Sequence, residues 1–220
     1  MSLKEFLLAV YERLLEFYGY QRWWPIDTSY HSRMDTDPRD EIIISAVLVQ
    51  NTSWKNVEKA LERMKRKGIL SLDFVRKVDE KTLQELIRPA GFYRLKSHRL
   101  KEVAFFLNPT EKVSYVKRQE LLKVRGIGKE TADAILLYAG NRLNFVIDKY
   151  THRLMERLYG LKGSYEDLKE TFEKHLPKDV GIYKEFHALI DEHAKRFCKS
   201  TPLCGGCPVK EMCISADPSS

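Results

Sequence analysis

Apolar residues recur every three or four positions through almost the whole chain, and that period suits α-helices and little else. Over residues 3–18, Phe6, Leu7, Val10, Leu14 and Phe17 form one apolar stripe, which Gly19 ends. An aromatic turn follows, from Tyr20 through Trp23 and Trp24 to Pro25. Asp37-Pro38 predicts an N-cap with proline at the first helical position, opening a helix that runs to about Gln50. Further helices are predicted at 53–67, 71–77, 80–87 and 95–107, with short polar breaks between them. The run Val146-Ile147 is too short to predict a strand. No repeat or low-complexity segment interrupts the pattern, so the expected fold class is all-α.

The 220 residues, 43% hydrophobic and 31% charged, are enough for a real core and argue against disorder. Lys and Arg number 38 and Asp and Glu 31, a surplus of +7 that suits a polyanionic partner. No run of about 18 apolar residues exists, so no membrane span is expected. The first residues lack the charged start and cleavage site of a signal peptide, which makes the cytoplasm, next to the nucleoid, the expected location. Asn and Gln together number only 9 in a chain rich in Lys, Glu and Arg, a leaning towards a thermophile.

All four cysteines lie within 16 residues, Cys198, Cys204, Cys207 and Cys213, in the spacing C-x5-C-x2-C-x5-C. Structural zinc more often takes two tight C-x2-C pairs, and here there is one. Thiolates reaching a [4Fe–4S] cubane from one compact loop fit the spacing better. Zinc and two disulfides are the other readings. Lys195, Arg196, Lys199 and Lys210 flank the loop, where they can balance an anionic cluster or touch phosphates.

Residues 121–140 read as a helix, a G-x-G turn at Gly126-Ile127-Gly128, and a second helix starting at once. Two glycines permit positive φ, so successive N–H groups can point to one side at the positive end of the second helix. That geometry favours a phosphate and positions DNA without reading its sequence. A tight helix–helix turn and nothing more is the plainer reading.

Gly126-Ile-Gly128-Lys129-Glu130-Thr131, then Val146-Ile147-Asp148, then the four-cysteine loop, occur together and in order. In this the chain resembles the helix-hairpin-helix glycosylases of the endonuclease III superfamily, over roughly residues 20–213. Trp23-Trp24-Pro25, Val49-Gln50-Asn51-Thr52 and Arg88-Pro89-Ala90-Gly91-Phe92-Tyr93 are similar to one branch, the methylpurine or 3-methyladenine glycosylases. The resemblance implies a DNA glycosylase with a two-lobe fold. One lobe is a helical barrel at 26–137. The other joins 1–25 to 138–213 and carries the cluster, and 214–220 is a tail. Damaged double-stranded DNA would lie between the lobes of a monomer.

Bifunctional members carry a lysine in the pattern G-x-G-x-K, where it forms a Schiff base with the sugar. Here that position holds Glu130, and Lys129 is one residue early, rotated by about 100° on a helix. The resemblance therefore implies a monofunctional enzyme for alkylated purines. A lyase that recruits Lys129 and a non-catalytic damage-binding protein are the rivals.

The resemblance implies a catalytic Asp148, which stabilises an oxocarbenium-like sugar or activates water. Local sequence makes the same residue an N-cap, and both roles can hold. Trp24 and Trp54, with Trp23 and Pro25 beside them, are expected to form a slot for a flipped, cationic base; core packing is the alternative. Glu130 either lines that pocket or sits solvated in a first helical turn. Gln50 either fills the gap left in the duplex or ends a surface helix. Gly126, Gly128, Lys129 and Thr131 are the expected DNA contacts of the hairpin. Lys199 is another, in a loop one residue shorter than is common in the family.

Overall fold

The computed structural model describes residues 1–216, and among them no strand occurs. Of the expected tail, residues 217–220 lie outside the described residues. Among the described residues no helix is long and apolar enough to cross a membrane. The chain divides into two compact units. One runs from Trp24 to Arg142; the other joins Met1–Trp23 to the chain from Leu143 onward. The first division falls two residues before the expected boundary and the second five residues after it.

The unit Trp24–Arg142 is built around one helix. Helix α1 (Leu3–Tyr18) belongs to the other unit; α2 (Thr28–Met34), α3 (Pro38–Leu48) and α4 (Trp54–Arg66) follow. Asp37 caps α3 by accepting from the Arg39 N–H, with Pro38 in the first turn, as the sequence predicts. Every residue of α3 from Asp40 to Leu48 is buried. A helix apolar on all sides has neighbours on all sides. Around it lie α4, α7 (Tyr93–Phe106) and α9 (Lys129–Ala134), the last widening into a π-helical turn at Ile135–Ala139. Helices α5 (Leu72–Lys77), α6 (Glu80–Ile87) and α8 (Arg118–Leu121) complete the unit.

The buried carboxylates of this core are matched, while Arg99 Nε is buried without a hydrogen-bond partner among the described residues. Asp40 accepts from Leu72 N–H (3.0 Å) and Thr110 Oγ1 (2.8 Å), and Glu41 pairs with Lys65 (2.8 Å) and His31 (3.1 Å). At the end of α3 the buried Lys96 ammonium donates to the carbonyls of Leu48 (2.8 Å) and Ala90 (2.7 Å). Burial, and then the nearby Arg99 charge, brings its pKa down to about 8.

Helix α2 has no counterpart among the predicted helices. Only Tyr30 and His31 of its seven residues are buried, too few to give a stripe. The helix predicted at 95–107 starts earlier, at Tyr93, because Phe92 before it takes a left-handed backbone (φ 45°).

The second unit packs α1 against α11 (Tyr165–His175) and α12 (Val180–Arg196), with α10 (Lys149–Tyr159) on α12. A capping box between Ser2 and Glu5 starts α1, and Gly19 (φ 70°) ends it. Phe145 stacks on Phe172 at 4.3 Å and meets Tyr183 and Phe186 edge-on, which anchors the extended run Phe145–Ile147.

Candidate active site and nucleic-acid interface

The hairpin is stapled from within. Arg118 on α8 holds the fully buried Asp133 of α9 through two bonds of 2.8 and 2.9 Å. Its two glycines differ: positive φ is open to both, and only Gly126 adopts it. Gly126 has φ +85°, and a Cβ there would lie 2.4 Å from Arg99 Cγ. Gly128 is extended (φ −85°, ψ 176°) and meets nothing within 4 Å of where a Cβ would stand. Gly126 therefore makes the turn, while Gly128 leaves open space before the N-terminus of α9. Lys129 and Glu130 are exposed there, and Thr131 is buried.

Gln50 is half-buried and turned onto this hairpin. Its Nε2 donates to Gly126 O (3.2 Å) and Thr131 Oγ1 (2.9 Å), and its Oε1 accepts from Arg99 Nη1. The side chain ties the end of α3 to the turn, a role that neither sequence reading of Gln50 included.

Trp24 and Trp54 come together, their ring centres 5.7 Å apart and their planes at 82°. Tyr138, from the π-helical turn, meets Trp24 at 5.0 Å and 62°. The tryptophans thus make a corner, where parallel walls would be needed to sandwich a base. Trp24 Nε1 donates to Ser45 Oγ (2.8 Å), whose own proton goes to a carbonyl one turn back in α3. Both tryptophans keep some surface exposed. Sequence reasoning passed over Tyr138 and Ser45; the one signal was a lone hydroxyl inside the apolar run Ile42–Leu48. Pro25 is exposed and Glu130 lies in the first turn of α9. Trp23 belongs to the other unit.

In that other unit Asp148 caps α10. Its Oδ1 accepts from both the N–H (2.7 Å) and Oγ1 (2.8 Å) of Thr151, which is fully buried. Its Oδ2 faces His187 Nε2 of α12 at 4.0 Å. Thr151 thereby fixes the direction of the carboxylate.

Helix α10 also grips the cysteine loop. Arg153 Nε donates to Cys198 O (2.7 Å); Arg157 donates to Lys199 O, to Ser200 O (2.7 Å) and to Cys198 Sγ (3.4 Å). Lys199 itself is exposed. The four cysteines are free thiols that line one cavity, together with His193 and Phe197. Among the described residues no three His, Cys, Asp or Glu side chains gather round one point as a single metal ion requires. Burial pushes the Cys207 and Cys213 thiols up. Deeply buried His193 is driven down to about 4 by the same cause.

An all-helical chain with a glycine hairpin and an aspartate-capped helix after it is a helix-hairpin-helix protein of the kind that docks on a nucleic-acid backbone. More narrowly, the chain belongs to the HhH-GPD superfamily of base excision DNA repair proteins, whose pattern it matches over residues 44–178. A candidate DNA repair glycosylase of Methanocaldococcus jannaschii is 48% identical, across 96% of this chain and 97% of its own. Endonuclease III of Thermotoga maritima is 32% identical, across 81% of this chain and 84% of its own. The crystal structure of the Helicobacter pylori 3-methyladenine DNA glycosylase MagIII bound to 1,N6-ethenoadenine is 28% identical. It covers 89% of this chain and 98% of its own with a TM-score of 0.72.

Proposed function

We propose that this base excision repair protein is a monofunctional DNA glycosylase for alkylated purines of the 3-methyladenine and 7-methylguanine type. The observation that carries the substrate class is the corner of the partly exposed Trp24 and Trp54, backed by the buried Tyr138. It offers electron-rich ring faces, which suit a base that is already cationic, each such contact contributing roughly 0.5–2 kcal/mol. The likeness to a 3-methyladenine glycosylase supports the same reading. Glu130 in the hairpin, where an amine would be needed for a Schiff base, supports the absence of lyase chemistry.

An alkylated purine is a good leaving group, so the enzyme's task is to stabilise positive charge on the sugar and to supply water. Asp148 suits it. Thr151 holds Oδ1, so Oδ2 keeps a fixed direction as an anion beside the developing cation or as the base that takes a proton from water. Gly126, Gly128 and Lys129 position the DNA backbone, Thr131 supports them from its buried bond to Gln50, and Lys199 on the exposed cysteine loop is a further cation. The base leaves the duplex to reach the aromatic corner.

Cys198, Cys204, Cys207 and Cys213 would hold a [4Fe–4S] cluster. The fit rests on four free thiols that line one cavity, as a cubane with one thiolate per iron would need. Such a group, when bound, supplies cationic irons that keep buried thiolates deprotonated and the loop rigid.

The test is mass spectrometry of the bases released from duplexes carrying methylated purines, oxidised pyrimidines or mismatched thymine. Release of the methylated purines alone is expected. Borohydride trapping should give no covalent adduct, and a strong adduct lost in Lys129→Ala would establish the lyase instead.

A further inference from the structure

Tyr18 is the last residue of α1, and its hydroxyl lies 3.0 Å from His193 Nδ1 on α12. The opposite nitrogen of that ring, Nε2, lies 3.7 Å from Cys207 Sγ. His193 is 1% exposed, so water cannot replace either contact. The ring is clamped by Phe197, stacked on it at 5.8 Å and 23°. Arg196 lies over the Tyr18 ring at 5.3 Å. A hydroxyl donating to Nδ1 leaves the ring proton on Nε2, where it points at sulfur.

We propose that Tyr18 and His193 form a relay that fixes the imidazole tautomer and donates an N–H to the Cys207 thiolate, thereby raising the reduction potential of the cluster. The proposal rests on the cluster reading above. Its physical basis is that a donor aimed at a ligand sulfur withdraws electron density and stabilises the more negative, reduced form. A second donor to a cysteine sulfur is Arg157, on Cys198, which belongs to the grip of α10 on the loop. The relay is separate from that grip, because it links the sulfur to the N-terminal helix through the His193 ring. His193 and Tyr18 act on the cluster through Cys207, and so are positioning residues.

The experiment measures iron and acid-labile sulfide in the full chain, then the midpoint potential by electron paramagnetic resonance titration. The variants are His193→Leu, which has no donor, and Tyr18→Phe. With metal content unchanged, His193→Leu should become harder to reduce by about tenfold in the reduced-to-oxidised ratio at a fixed potential, about 59 mV for one electron. Tyr18→Phe, which removes one oxygen, should shift the same way by less. Equal potentials in wild type and Tyr18→Phe at full iron content overturn the relay. Should His193→Leu fail to retain iron, Tyr18→Phe alone decides. A wild-type chain without iron and sulfide overturns the cluster reading, a result distinct from unmoved potentials.

Discussion

Gln50 Nε2 donates to Thr131 Oγ1 at 2.9 Å, joining the end of the central helix to the first turn of the hairpin helix. The bond makes Gln50 part of the hairpin's support, and its cost of release bears on any role inside DNA. Thr131→Val removes the acceptor and keeps the shape. It should lower stability by about 1 kcal/mol in a denaturant titration, and Gln50→Ala by slightly more. Both should weaken binding to an abasic-site duplex with an unchanged salt slope, since no phosphate contact is lost. If Thr131→Val left binding intact while Gln50→Ala weakened it, Gln50 would be acting in the duplex and not as a tether.

Asp148 has two roles that a single substitution separates. Asn is as good an N-cap as Asp, so Asp148→Asn should fold and melt like the parent. It removes the negative charge from Oδ2, and base release in a single turnover should fall by about 10²–10³-fold. Affinity for undamaged duplex should hold or rise. Wild-type turnover in this variant would leave Asp148 as a cap alone.

The aromatic corner should discriminate by charge. Trp54→Leu keeps an apolar side chain and removes the ring, so release of cationic 7-methylguanine should drop about tenfold, and release of an uncharged lesion such as 1,N6-ethenoadenine distinctly less. Equal losses on both lesions would mean that the ring serves packing only.

How much of this was legible beforehand depends on the distance over which each feature is encoded. The all-helical fold follows from a period of three to four residues, and the cap at Asp148 from its place before a helix. The four cysteines share a short loop, so spacing alone suggested a common centre. Other features join distant segments. Tyr18 and His193 are 175 positions apart, Gln50 and Thr131 81, Trp24 and Ser45 21. No local pattern marks such pairs. Arg153 and Arg157 were in principle accessible: four residues apart on α10, they share one face, but nothing local says that this face meets the cysteine loop. The two glycines of the hairpin show the limit at backbone level, since composition permits positive φ at both and only Gly126 adopts it.

Lys96 gives a prediction in pH. In the folded chain it loses its proton near pH 8, and in the unfolded chain near its ordinary 10.5. Its folded pKa is lowered, so between those values the unfolded state holds more protons and stability rises with pH. Below pH 8 the ammonium is charged in both states and the cost of burying it is at its full value. The gain from pH 8 to 9 should be about 1 kcal/mol. Tyr18 and Tyr183, both raised by burial, oppose this only near and above their ordinary pKa of 10. Lys96→Met should be less stable at both pH values, because the carbonyls of Leu48 and Ala90 lose their donor. The decisive quantity is the slope: denaturant titrations at pH 8 and 9 should show the rise in the parent and its loss in the variant. An equal rise in both would assign it to groups other than Lys96.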